Sequence, residues 1–350
     1  MKAVMKYNEA PYELSIKELP KPSVQNGEVL VNVSSVGICG SDVHMYAGHA
    51  GYDWIPYPLT LGHEITGTVV ETSHNTLQGQ RVVINPYVPC GECEYCKRGE
   101  ENRCDNNNFF VSKRAPLSLQ YGFRQNGGMA EFIAVPEKNV VPISDDVSDN
   151  VAAVSEAIAV GLTAVDKAGT IAGKKVIIFG PGPIGLSVAS LLVGLRAENI
   201  IMAGVPGDEK RLEKAEEIGV HHTLVTSDNL VNDLLGWNNG YDVVFDCSGH
   251  HSVPGNAAKV LKKGGQLVLV GISTNTFSLE MDQIVRGEIQ VRGSYGITWD
   301  TFKRTLEYAT DDAFPFERLV TGSYGIERAK EAFDAAMDKA AGKIVLKMNA

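Results

Sequence analysis

Six cysteines stand in the 350 residues of the chain, at positions 39, 90, 93, 96, 104 and 247. Four of them, Cys90, Cys93, Cys96 and Cys104, crowd together at spacings of three, three and eight. In a reducing compartment such crowding reads as metal ligation rather than disulfide bonding. Four thiolates complete a tetrahedral zinc shell and leave no position for a substrate, so the site reads as structural. An iron–sulfur cluster uses related spacings, but no proline follows Cys104 and there is no second cluster pattern, which favours zinc. The metal would pin a lobe with little apolar content, since Glu92, Glu94, Lys97, Arg98 and Glu100 surround the cysteines.

A second set of donors is dispersed. Cys39 lies in the run Gly37-Ile-Cys-Gly-Ser-Asp-Val-His44, His63 and Glu64 follow Gly62, and Glu156 sits in an alanine-rich apolar stretch. Thiolate, imidazole and carboxylate form a mixed set that zinc accepts where one position stays open to water or substrate. Taken singly, each residue has a plainer reading: Cys39 as core, His63 as a surface or capping group, Ser41 as a turn hydroxyl, His44 as a surface imidazole.

The third signal is Gly180-Pro-Gly182-Pro183-Ile184-Gly185, which follows the apolar run Lys175–Phe179 and opens a helix-patterned segment. The first glycine permits a tight turn. The second lets a pyrophosphate approach the backbone, and the third lets helix pack on strand. The helix amino terminus then faces the phosphates. An acid about 20 residues further on would bond the ribose hydroxyls of NAD. Gly204 stands there instead, nineteen residues past Gly185, with Asp208 and Glu209 arriving late beside Lys210 and Arg211. The absent carboxylate and the two cations favour NADP. In the other reading Asp208 reaches the ribose of NAD from a longer loop, and Arg211 merely caps or faces solvent.

These groups need two kinds of scaffold. Glu28–Ser34, Gly67–Glu71, Gln80–Ile84 and Ala130–Val135 read as short strands punctuated by Gly, Pro and Asn, the pattern of a β-rich domain. Near residue 145 the character changes to a helix over Asp145–Lys167. Strands at 175–179, 199–203, 242–246 and 265–270 then alternate with helical segments, which makes an α/β unit with a parallel sheet. Gln290–Gly293, helices over 300–310 and 326–339 and a strand over 342–348 follow, and this tail is expected to rejoin the first domain. The boundaries read as 1–147, 148–290 and 291–350.

Net charge is −10, from 32 basic and 42 acidic residues, which disfavours a backbone-driven nucleic-acid binder. Hydrophobic residues make up 44%, as in an ordinary globular enzyme. No stretch reaches the roughly 18 apolar residues of a membrane helix, and Met1–Ala10 lacks a signal-peptide run. The expectation is a cytoplasmic protein with no membrane partner.

Taken together, Gly37–His44, Gly62-His-Glu64, the four clustered cysteines, Gly127-Gly-Met-Ala-Glu-Phe132 and Gly180–Gly185 resemble the zinc-dependent medium-chain dehydrogenase/reductase superfamily. The likeness covers essentially the whole chain and is nearest the polyol (sorbitol-like) and threonine dehydrogenase branch. It implies a GroES-like β-rich catalytic domain plus a doubly wound Rossmann domain. It implies that Cys39, His63 and Glu64 hold a catalytic zinc, with Glu156 ligating directly or through water. The family usually has Pro after this Glu, where Ala157 stands here. Asp42 matches a carboxylate that orients His63, and Ser41 and His44 match a proton relay. Gly271 and Ile272 would lie near the nicotinamide, and Gln290–Gly293 would pair copies into a homodimer or homotetramer. The implied reaction is hydride transfer from a secondary alcohol of a polyol or sugar to NAD(P), giving a ketone. Threonine oxidation and a non-catalytic binding protein of the same fold remain as alternatives, and a zinc-free reductase fits the sequence badly. The stretch Asp105–Asn126, with Phe109, Phe110, Lys113, Arg114, Tyr121 and Arg124, reads either as a substrate-selecting border or as a solvated loop.

Overall fold

In the computed structural model, which describes residues 1–52, 54–72, 76–105, 120–338 and 340–349, the chain divides into two compact units. The first takes residues 1–159, 297–310 and 320–350, and the second takes 160–296 and 311–319. Phe109, Phe110, Lys113, Arg114 and Lys339 lie outside the described residues.

The first unit is built on β3 (Glu28–Ile38), an eleven-residue strand buried along almost its whole length. Its valines suit a pleated surface packed on both faces. It runs antiparallel to β5 (Glu64–Thr72) on one side and to β16 (Lys343–Lys347) on the other. Beyond these lie β6 (Arg81–Ile84) and β8 (Val140–Pro142) at one edge and β15 (Val320–Gly325) at the other, with β7 (Phe132–Pro136) also on β3. β15 and β16 thus come from the tail, whereas residues 291–296 and 311–319 group with the second unit. β1 (Lys2–Lys6), β2 (Ser15–Glu18) and β4 (Leu59–Thr60) form a separate small sheet.

The register of the large sheet sets the chemistry. Gly37 pairs with Glu64 across one ladder and with Val345 across the other. Cys39 follows the end of β3, Glu64 begins β5 and Lys343 begins β16, so three strand ends bring three functional side chains to one end of the sheet. β5 starts three residues earlier than its alternation predicts. Glu64, Ile65 and Thr66 are all buried, and a strand covered on both faces shows no alternation.

The second unit holds six parallel strands: β9 (Lys175–Phe179), β10 (Asn199–Gly204), β11 (His222–Val225), β12 (Tyr241–Asp246), β13 (Leu261–Leu269) and β14 (Gln290–Gly293). Their spatial order is β11-β10-β9-β12-β13-β14, the doubly wound dinucleotide-binding order, in the parallel sheet that the alternating pattern predicts. Val176–Ile178, Ile200–Met202 and Val243–Phe245 are buried, as strands covered on both faces must be. The predicted helix over 326–339 is a single 3₁₀ turn, Ile326–Arg328, followed by an α-helix over Ala329–Met337. No helix among the described residues is long and apolar enough to cross a membrane.

Candidate active site

The four clustered sulfurs lie within 4.8 Å of one another. Backbone amides of the same loop point at them: Cys90 N donates to Cys104 Sγ at 3.3 Å and Cys93 N to Cys90 Sγ at 3.4 Å. The Cys90–Cys96 sulfur separation is 3.9 Å. Zinc–sulfur bonds of about 2.3 Å place tetrahedral ligands roughly 3.8 Å apart, so the spacing fits a single ion; a multi-iron cluster holds its cysteines further apart.

The dispersed donors also converge. Ligand atoms of Cys39, His63 and Glu64 lie within 4.8 Å of one another, and His63 and Glu64 are buried. His63 Nδ1 and Glu64 Oε2 are buried without a hydrogen-bond partner. Orphaned buried polar atoms are costly, and an ion held where Cys39, His63 and Glu64 meet would satisfy the Glu64 oxygen, so these residues fit a bound zinc. Glu156 is buried in the helix Asp149–Ala168 but is not among the three donors that meet. Burial, and then Glu64 and Cys39, push its pKa up to about 8 against the opposing pull of His63 and Lys343. Burial, with Glu64 adding to it, likewise pushes the Cys39 thiol up to about 11.

Asp42 ties the pieces together. Fully buried, it accepts from Cys39 N at 3.0 Å and from Gly62 N at 3.2 Å. Its carboxylate is 3.8 Å from His63 Nδ1, too far for a hydrogen bond. It therefore fixes the two loops that carry the ligands, rather than gripping the imidazole directly.

Glycines make the approach possible. A Cβ on Gly37 would stand 2.1 Å from Glu64 Oε2 and 2.7 Å from Ala153 O. A Cβ on Gly127 would stand 2.1 Å from Gly62 O, and one on Gly122 2.8 Å from the same oxygen. The backbones of Gly62, Gly122 and Gly127 thus meet directly behind His63, and Gly128 N donates to Gly62 O at 2.9 Å. This gives the Gly127-Gly128 run a physical meaning.

Ser41 lies two residues past Cys39, with its hydroxyl oxygen buried and without a hydrogen-bond partner, and His44 follows three residues on in the helix Gly40–Tyr46. Residues three apart share a helix face. His44 is exposed, its Nδ1 2.7 Å from His49 Nδ1 and its ring stacked on Tyr52. Desolvation by these neighbours, and then His49 itself, hold its pKa below the usual imidazole range.

Three neighbours of the site carry no motif. Phe123 packs on the His63 ring at 4.9 Å, and Trp54 stacks on Phe123. Lys343, fully buried, donates to Glu64 Oε1 at 2.5 Å and to Ile38 O at 3.0 Å. Burial opposes its charge, yet Glu64 and Cys39 hold its pKa above the ordinary lysine value. Arg124 lies over the Trp54 ring, while Tyr121 is buried, with its nitrogen donating to Pro86 O.

In the second unit, Gly180 has φ +94°, and a Cβ on Gly185 would stand 2.0 Å from Gly180 O. A Cβ on Gly182 would meet nothing within 4 Å, which leaves the space a pyrophosphate needs. Pro183 and Ile184 open the helix Pro183–Gly194. Gly271 packs on Gly249, where a Cβ would be 2.2 Å from the Gly249 nitrogen, and Ile272 is 84% exposed. The buried Asp246 carboxylate organises this loop by accepting from Ser248 N and Gly249 N, each at 3.0 Å. Cys247 packs its Cβ towards Gly185, and burial raises its thiol pKa, which suits a packing role.

Gly204 ends β10 beside Asp208. Asp208 is buried, and its Oδ2 accepts from Val205 N at 3.0 Å. Arg211 is held 4.0 Å from its other oxygen, and Lys210 is exposed.

Residues 25–145 match the alcohol dehydrogenase GroES-like domain, and residues 183–311 match the zinc-binding dehydrogenase domain. A sorbitol dehydrogenase of Bombyx mori is 32% identical over 346 residues, covering 95% of each chain. An L-idonate 5-dehydrogenase (NAD(P)(+)) of Escherichia coli strain K12 is 33% identical over 319 residues, covering 90% of each. An L-threonine 3-dehydrogenase of Streptomyces avermitilis is 31% identical over 361 residues, covering 99% of each. Among solved structures, a short chain alcohol dehydrogenase from Escherichia coli CFT073 complexed with NADH superposes with a TM-score of 0.88 at 26% identity over 99% of both chains. A zinc-binding dehydrogenase from Sinorhizobium meliloti 1021 bound to NADP gives 0.87 at 26% identity, again over 99% of both. With both domains matched in order, and relatives at these identities over most of its length, the chain belongs to the zinc-dependent medium-chain dehydrogenase/reductase (alcohol dehydrogenase) superfamily.

Proposed function

We propose that this protein oxidises a secondary hydroxyl of a polyol or sugar derivative to a ketone, reversibly, with NAD(P) as hydride acceptor. The observation that carries this reading is the buried convergence of Cys39, His63 and Glu64, with Glu64 Oε2 left unpartnered. These three residues would hold the catalytic zinc, with Glu156 close by, and the four clustered cysteines a structural one. A bound zinc supplies Lewis acidity to a hydroxyl oxygen without redox activity of its own. A bound nicotinamide supplies the hydride acceptor.

The chain's residues do the rest. Ser41 accepts the proton of the substrate hydroxyl. His44, neutral at pH 7 because its pKa is depressed, passes that proton to solvent. The Gly180–Gly185 turn holds the pyrophosphate, with Gly271 and Ile272 near the nicotinamide.

For the 2′-position we read NADP. Asp208 is engaged by its own turn, Arg211 is anchored at the strand end, and Lys210 is exposed nearby. The relatives named for sorbitol and idonate support the polyol and sugar class, and the threonine dehydrogenase at 31% identity supports L-threonine as the second reading. For assembly we read a homodimer formed through β14: it is the sheet edge, all its residues are exposed, and Met281 and Val285 near it are 78% and 66% exposed.

A substrate panel of polyols, aldonates, sugar phosphates, simple alcohols and L-threonine, run with NAD and with NADP and followed by nicotinamide absorbance, tests the reading. Turnover of a polyol or sugar acid with about two zinc ions per chain is the expected result. Threonine turnover alone would move the assignment to the second reading. No turnover, with one zinc, would leave a binding protein.

A further inference from the structure

We propose that Lys343 is a positioning residue for the catalytic metal: it captures one oxygen of Glu64 and thereby restricts that carboxylate to offering the other. This rests on the reading that Cys39, His63 and Glu64 hold the ion.

The geometry is one-sided. Lys343 Nζ is 2.5 Å from Glu64 Oε1, and its second partner, Ile38 O, lies one residue from Cys39. Glu64 Oε2 is buried and has no hydrogen-bond partner. A carboxylate with both oxygens available can chelate an ion through both, or swing between modes. With Oε1 held by an ammonium anchored to a strand carbonyl, only Oε2 remains for the metal. That keeps a coordination position open, which a catalytic zinc needs and a structural one does not. Gly37 contributes to the same restriction, because Oε2 lies where a Cβ on that residue would be.

The arrangement is also costly enough to need a reason. Lys343 is 2% and Glu64 0% exposed, and a buried ion pair is weak evidence of stability, since desolvation of two charges offsets much of their attraction. The pair joins the first residue of β16 to the first residue of β5 across the intervening β3, so sequence separation hides it and sheet register creates it.

The test uses cobalt(II) as probe, because the protein carries its own control. Cobalt in the tetrathiolate lobe gives sulfur-to-metal charge-transfer absorption, which reports that the chain is folded and loaded. Cobalt at the mixed site gives a separate ligand-field spectrum. Wild type and Lys343→Met are titrated with cobalt(II) and then challenged with a chelator. The proposal expects the methionine variant to bind cobalt roughly 10- to 100-fold more weakly at the mixed site, with an altered ligand-field band, while the lobe is unchanged. Lys343→Arg, which keeps a cation and a donor, restores affinity and band. An unchanged mixed-site spectrum and affinity in Lys343→Met overturns the proposal alone. Tighter binding also overturns it, since it would show that the lysine acts only by repelling the ion. A wild type that binds cobalt only in the lobe overturns both the proposal and the reading beneath it. Should the methionine variant not fold, Lys343→Gln, neutral but still a donor, is read in the same way.

Discussion

The two donor sets of the first unit are built in opposite ways. The tetracysteine lobe draws four like ligands from one short segment, and amides of that segment orient the sulfurs. The mixed set draws three unlike ligands from two separate loops and needs strand register, a buried carboxylate and a buried ammonium to hold them. The difference teaches that a closed site can be made by local chain geometry, whereas an open one is held apart by its surroundings.

The comparison can be broken at several points. The largest effect is expected in the lobe: Cys96→Ser should release its zinc and with it roughly 10 kcal/mol of coupled local folding energy. Rapid proteolysis confined to residues near 90–104, with metal kept at the mixed site, is the expected result. Loss of both metals together would deny that the lobe is self-contained. Next, Cys39→Ala should lower alcohol oxidation at least about a thousandfold, several kcal/mol of barrier, with metal analysis falling by one ion per chain. Near-normal turnover would place the chemistry elsewhere.

Gly37→Ala should destabilise the chain by about 1–3 kcal/mol, because the new methyl must displace Glu64 or the Ala153 carbonyl. Chelator challenge should strip the mixed site first, and a thermal midpoint equal to wild type would contradict the packing. His44→Asn should slow turnover by roughly 10- to 100-fold near neutrality. The sign follows from its depressed pKa: above that pKa the imidazole is neutral and accepts a proton, and below it the relay is already filled. The deficit should therefore be greatest just above that pKa and shrink in alkali, where hydroxide takes the proton directly. A pH profile parallel to wild type would remove His44 from the route. The smallest effect is expected from Lys210→Ala, a few-fold rise in KM for NADP and none for NAD, as suits an exposed charge.

What was legible in the sequence follows the same division. The four cysteines and the Gly180–Gly185 turn are local, so spacing alone exposes them. Cys39, His63 and Glu64 become legible only beside the other motifs, because nothing in a lone cysteine or histidine says that a sheet will bring it to a partner. Lys343 was not legible: its meaning lies in a ladder that joins residues far apart in sequence. Phe123 and Trp54 were missed for the same reason, as aromatic residues ordinarily read as core. That the second unit is a parallel sheet was foreseen because alternating strands and helices leave few topologies. The early start of β5 was not, because burial on both faces erased its period.

The glycine junction behind His63 bears on how such an enzyme changes its diet. Three bare backbones in contact leave no room for even a methyl group, so the histidine sits on a joint that mutation can ruin but not gradually adjust. Variation near the ion can then enter only through side chains such as Phe123, packed on the histidine, and Trp54, stacked on Phe123, which can be exchanged in small steps while the ion's seat stays put.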